Sequence, residues 1–113
     1  MFVIENSGTY TWPIKVKTPV DGGKFKEESF TAVFKRKSYE EILVFKNDIA
    51  ESQLDDAEIA KRVMVGWHEV LDANKNEIPF NEENLKSLLN IPGAPGSIVV
   101  AFMESIMGIK RKN

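Results

Sequence analysis

Hydrophobic and polar positions alternate early in the chain and take a helical period later. From Tyr10 onward, Trp12, Ile14 and Val16 fall on one side, and Thr11, Lys15 and Lys17 on the other or at its edge. Aromatic and β-branched residues at a period of two predict a half-buried strand. Pro13 has no N–H to give to a ladder, so this strand is expected at a sheet edge. Pro19 is expected to close it. Asp21-Gly22-Gly23 predicts a turn, because glycine takes the positive φ that tight turns require. Phe30, Ala32 and Phe34 then oppose Thr31, Val33 and Lys35, a second strand that makes a hairpin with a long tip. Residues 1–9 precede it as a short leader, either a strand or loose.

After the hairpin the period changes. Ser38 and Glu41 form an S-x-x-E capping box, which satisfies two backbone donors at a helix start. Ile42 and Phe45 are its core-facing pair, and the helix is expected to fray near Asn47-Asp48. A second helix is predicted over Asp55–Val65, with Ser52 as its cap and Asp55, Asp56 and Glu58 complementing its dipole. Ile59, Ala60, Val63 and Met64 share one stripe, Trp67 continues it, and Gly66 ends or bends the helix. Residues 68–81 read as a connection, turn-rich between Asp72 and Asn76.

Asn81 caps a third helix, Glu82 to Asn90, with Leu85, Leu88 and Leu89 inward and Phe80 placed to staple onto Leu85. Pro95 suits the opening of a last helix. Ile98, Val99, Phe102, Ile106 and Ile109 recur along it, Gly108 is its C-cap, and Lys110-Arg111-Lys112 complement its dipole. The pattern predicts an α+β fold: an N-terminal antiparallel β-hairpin or small sheet followed by about four α-helices. With 113 residues and no internal repeat or composition break, residues 1–113 form a single domain.

Composition narrows the function classes. Fifteen basic and seventeen acidic side chains give a net charge of −2. Nucleic-acid binding and membrane-surface binding both call for a basic excess, so neither is expected. Lys35-Arg36-Lys37 and Lys110-Arg111-Lys112 read as a solvated edge and tail. The chain has no cysteine, which removes disulfides, thiolate nucleophiles and cysteine zinc sites. The apolar runs, such as Ile98–Met103, are far too short for a membrane span, and residues 2–9 lack the pattern of a signal peptide.

Candidate chemistry is sparse. Asp72, Asn74, Asn76 and Glu83 match ligand positions 1, 3, 5 and 12 of an EF-hand loop, which makes a small calcium-responsive binding module the alternative reading. Glu77 stands where that loop needs glycine, and Pro79 stands where it forms a short β pairing. His68 is the sole histidine and has no nucleophile or ligand set with it. Gly93-Ala94-Pro95-Gly96 lacks the lysine of a phosphate loop. Glu40-Glu41 and Glu82-Glu83 sit in first helical turns, where dipole complementarity accounts for them. No catalytic set assembles, so an enzyme is not expected and no cofactor is implied. Methionine and aromatic residues favour interfaces. Met64, Trp67, Val99, Phe102, Met103 and Met107 are therefore the candidate partner-binding residues, the last four on a final helix apolar over more than a narrow stripe.

The second half of the chain carries a recognisable series. Gly66-Trp67 is followed by the polar Asp72–Glu77 turn, Ile78-Pro79-Phe80-Asn81, Asn84-Leu85, Leu88-Leu89, Ile91-Pro92-Gly93 and an apolar helix running to Lys112-Asn113. In this series the chain resembles the tail assembly chaperones of long-tailed bacteriophages and their prophages. Trp12-Pro13 and Phe30-Thr31-Ala32-Val33-Phe34 of the hairpin are similar as well, so the resemblance covers most of the chain. It departs at Asn76-Glu77, where an Asp/Asn-Gly turn is expected.

The resemblance implies a non-enzymatic protein of the bacterial host cytoplasm. Such a protein binds the long, helical, aggregation-prone tape measure protein before the tail tube polymerises. It also implies a homo-oligomer and a longer form made by programmed frameshifting, with which the chain would pair. Lys112-Asn113 is compatible with an A-rich slippery codon pair.

Overall fold

The computed structural model describes residues 1–108. Ile109 and the Lys110-Arg111-Lys112 run therefore lie outside the described residues. Three strands and four helices follow in the order β1 (Thr9–Val20), β2 (Lys24–Lys35), α1 (Tyr39–Ser52), α2 (Asp56–Val63), β3 (Met64–His68), α3 (Glu82–Leu89) and α4 (Ala94–Met107). The sheet is antiparallel in the order β1-β2-β3, so the fold is α+β as the sequence pattern implies. Residues 1–7 precede β1 without a regular element.

β1 and β2 pair without interruption from Thr9 opposite Lys35 to Val20 opposite Lys24. The expected long tip is instead a three-residue turn at Asp21-Gly22-Gly23, and Pro19 does not close β1. Its missing donor is harmless because β1 pairs on one side only. Gly22 and Gly23, at φ +85° and +72°, provide the reversal. Ile14, Val16, Phe30, Ala32 and Phe34 are buried on one face of this ribbon, in register with the alternation.

The region after Ser52 departs from the helical expectation. α1 does not fray at Asn47 but runs through Ser52 and stops at Gln53, which takes a left-handed conformation with φ 51°. The cap of α2 is Asp55, whose side chain accepts from Glu58 N at 2.9 Å, and not Ser52. α2 ends at Val63, and Met64 turns directly to extended backbone. Met64–His68 is a strand that pairs with β2, and Trp67, placed by the sequence pattern on the helical stripe, lies opposite Ala32. A register shift at Val33/Phe34 leaves Val65 as the extra residue, 46% exposed. Gly66 neither ends nor bends a helix; its missing side chain lets Val33 approach within 3.4 Å of where a Cβ would stand.

The helices cover one face of the sheet. α4 lies along β1, with Gly93 at one end against the Lys17 carbonyl and Ser105 at the other against Tyr10. α2 lies beside α4, the Asp56 carboxylate near Gly96. The core joins the inward sheet residues to Ile59, Ala60 and Val63 of α2 and to Ala94, Ile98, Ala101 and Phe102 of α4. At its centre Phe34 takes Tyr10 and Phe102 edge-on, at 5.7 and 5.3 Å between ring centres. Asn81 caps α3 as expected, accepting from Asn84 N at 2.8 Å. Phe80 packs edge-on against Trp67 at 4.9 Å. Gly108 caps α4 at φ +70°.

Candidate functional site

α1 is the loosely held element. Its inward stripe, Ile42, Phe45 and Ile49, touches the core, but only Phe45 is buried. Its start is well fixed. Ser38 Oγ accepts from Glu41 N at 3.1 Å, and the Glu41 carboxylate accepts from Ser38 N at 3.0 Å. The Ser38 backbone N–H, then its side chain, and then Lys37 and Lys35 favour the charged carboxylate, which holds Glu41 below its ordinary pKa near 4.5. Away from the stripe, Tyr39, Leu43 and Val44 are 76%, 47% and 63% exposed. Three apolar side chains on this one helix are turned to water.

Other exposed apolar groups converge on this end. The Gly8 carbonyl accepts from Arg36 N at 2.9 Å, so the leader, with Phe2, Val3 and Ile4 exposed, emerges beside the start of α1. The Arg36 guanidinium stands 5.1 Å from the centre of the Tyr10 ring, and the Tyr10 hydroxyl lies 2.8 Å from Ser105 Oγ. That chain of contacts brings the last turn of α4, with Met107 at 60% exposure, to the same end.

An open groove of about 470 Å³ runs between α1 and α2 here, lined by Val44 and Phe45 and by Lys37, Ser38, Glu40, Glu41, Asp48 and Arg62. The Lys37 ammonium sits 5.5 Å from the centre of the Phe45 ring.

The residues singled out from the sequence divide differently. Met64, Trp67 and Phe102 are core residues at 2%, 7% and 1% exposure and offer no surface in the folded monomer. Val99 and Met103 are half-buried against the core, and only Met107 stands open. Sequence reasoning passed over α1's outer face. The available signal was that Leu43 and Val44 are apolar yet fall off the Ile42–Phe45–Ile49 stripe.

The Asp72–Glu83 stretch is occupied by its own backbone. Asp72 Oδ1 accepts from Asn74 N at 2.8 Å and Asn76 N at 3.0 Å, Leu71 bridges Glu77, and Lys75 takes φ +64°. The result is a small hairpin in which a left-handed lysine serves in place of glycine. Trp67 Nε1 ties it down by donating to the Ile78 carbonyl at 3.0 Å. Glu83 lies beyond it in the first turn of α3. Among the described residues no group of three or more acidic, histidine or cysteine side chains gathers to hold a metal. His68 is exposed at the end of β3.

The phage tail assembly chaperone family matches residues 2–113. The chain belongs to that family. No curated protein and no solved structure matches it. Membership of the family implies a chaperone role, which is non-enzymatic. Among the described residues no single helix of the chaperone is long and apolar enough to cross a membrane; α3 and α4 reach that length only together, across a 99° bend.

Proposed function

We propose that this tail assembly chaperone binds the tape measure protein in the bacterial host cytoplasm before the tail tube polymerises. It self-associates and pairs with a frameshifted longer form of itself. The observation that carries this reading is the apolar exposure at one end of the molecule, where Tyr39, Leu43 and Val44 of α1 adjoin the exposed leader and Met107. Val99 and Met103 continue the Met107 line one turn at a time along α4. Methionine adapts its shape to varied partners, which suits a client with many similar helical segments.

Co-expression with the tape measure protein of the same phage tests the reading. The expected result is a tape measure protein kept in solution and co-purifying with the chaperone, which sediments above its monomer mass of 12.8 kDa. A strict monomer beside an insoluble tape measure protein would overturn it.

A further inference from the structure

The groove between α1 and α2 has a charge as well as a shape. Over residues 37–63 seven carboxylates stand against four cations, an acidic excess of three, whereas the whole chain has an excess of two. The acidity of the protein is therefore concentrated in these two helices. Glu40 and Asp48 lie two turns apart on α1, about 12 Å along its axis. The ion pairs among the described residues are Lys26–Glu28 and Lys61–Glu58, so neither carboxylate has a cation of its own. Of the two cations at the groove, Lys37 is drawn over the Phe45 ring and Arg62 belongs to the α2 wall. Between the two carboxylates Val44 is open, and the Phe45 ring lies beside it at the groove floor.

We propose that this groove takes an amphipathic helix of a client tail protein, one whose apolar stripe is flanked by lysine and arginine. The inference rests on the client-binding reading above and adds the surface and the charge of the segment it selects. A helix laid in a groove anchors through residues at i, i+3, i+4 and i+7, and Val44 and Phe45 offer the apolar floor for them. Flanking cations one or two turns apart would meet Glu40 and Asp48. The same charge disfavours α1 of a second copy as the occupant, because it would bring like carboxylates together.

Two synthetic 18-residue helical peptides test this against the full chain by fluorescence anisotropy. Both carry leucine at i, i+3, i+4 and i+7; one has lysine at the flanking positions and the other glutamate. The protein is expected to prefer the lysine peptide by about tenfold, the scale of two partly exposed ion pairs. E40K/D48K is expected to reverse the preference. Val44→Asp adds a carboxylate but removes an apolar contact, so it is expected to weaken the lysine peptide. All three positions are exposed, and circular dichroism should report an unchanged fold.

Equal affinity for the two peptides, a preference unmoved by E40K/D48K, or tighter lysine-peptide binding by Val44→Asp would each overturn the proposal. Co-purification of the tape measure protein separates the two levels. If E40K/D48K and Val44→Asp both retain it as the wild type does, the groove assignment fails and the client reading stands. If the wild type never retains it, the client reading itself fails.

Discussion

Single residues hold this fold at points where one atom group has no substitute. Gly93 opens α4 at φ +91°, and a Cβ there would lie 3.3 Å from the Lys17 carbonyl oxygen. Gly93→Ala therefore meets both a left-handed backbone and the floor of β1. It is expected to cost about 1–2 kcal/mol, read as a lowered midpoint in chemical denaturation. Trp67 ties the 70–78 hairpin to the sheet through its indole N–H. Trp67→Phe keeps most of the packing and removes that donor, so a loss of about 1 kcal/mol is expected, with faster amide exchange in the hairpin. The Asp72 carboxylate was legible in the sequence as an oxygen ligand at the right spacing. Its use by the Asn74 and Asn76 amides was not, because no glycine marks the turn, whose left-handed residue is Lys75.

At the scale of elements, local rules fixed the starts of α1 and α3 and the end of α4, while tertiary pairing decided where α2 ends. The S-x-x-E box at Ser38, the Asn81 cap and the Gly108 stop depend on neighbouring residues alone, and each was readable. The end of α2 was not. Val63, Met64 and Trp67 satisfy a helical stripe, but Met64–His68 gains a ladder with β2 that only the folded sheet can offer.

α1 responds most directly to its cap. The depressed Glu41 pKa stabilises the helix start fully above the ordinary carboxylate value near 4.5, and this contribution is lost as pH falls through the lower folded value. In Ser38→Ala the acceptor for Glu41 N is gone and one of the bonds favouring the carboxylate with it. The Glu41 titration, followed by NMR, is expected to move up toward the ordinary value, with faster amide exchange in the first turn of α1 at neutral pH. A titration unchanged by the substitution would contradict the capping account.

For the whole molecule, the division of labour is between a sheet face closed by α2 and α4 and an end left apolar around α1. Family and fold class were both legible, because the series from Gly66 to Asn113 and the switch from a period of two to a helical period survive in one dimension. The surface was not. Composition ranks Met64, Trp67 and Phe102 as interface residues, and the same chemistry makes them the core once β3 and α4 close on the sheet. What α1 leaves exposed, Tyr39, Leu43 and Val44, lies off the helical stripe, where sequence patterning assigns no role.

The central claim is that the exposed face of α1 engages the tape measure protein, and the direct measurement is co-purification of that protein with wild type and with Leu43→Asp, each alongside its denaturation midpoint. The expected result is a complex with the wild type and its loss in the variant, whose stability stays within about 0.5 kcal/mol because the side chain is already exposed. A variant equally stable that retains the tape measure protein as fully as the wild type would contradict the claim.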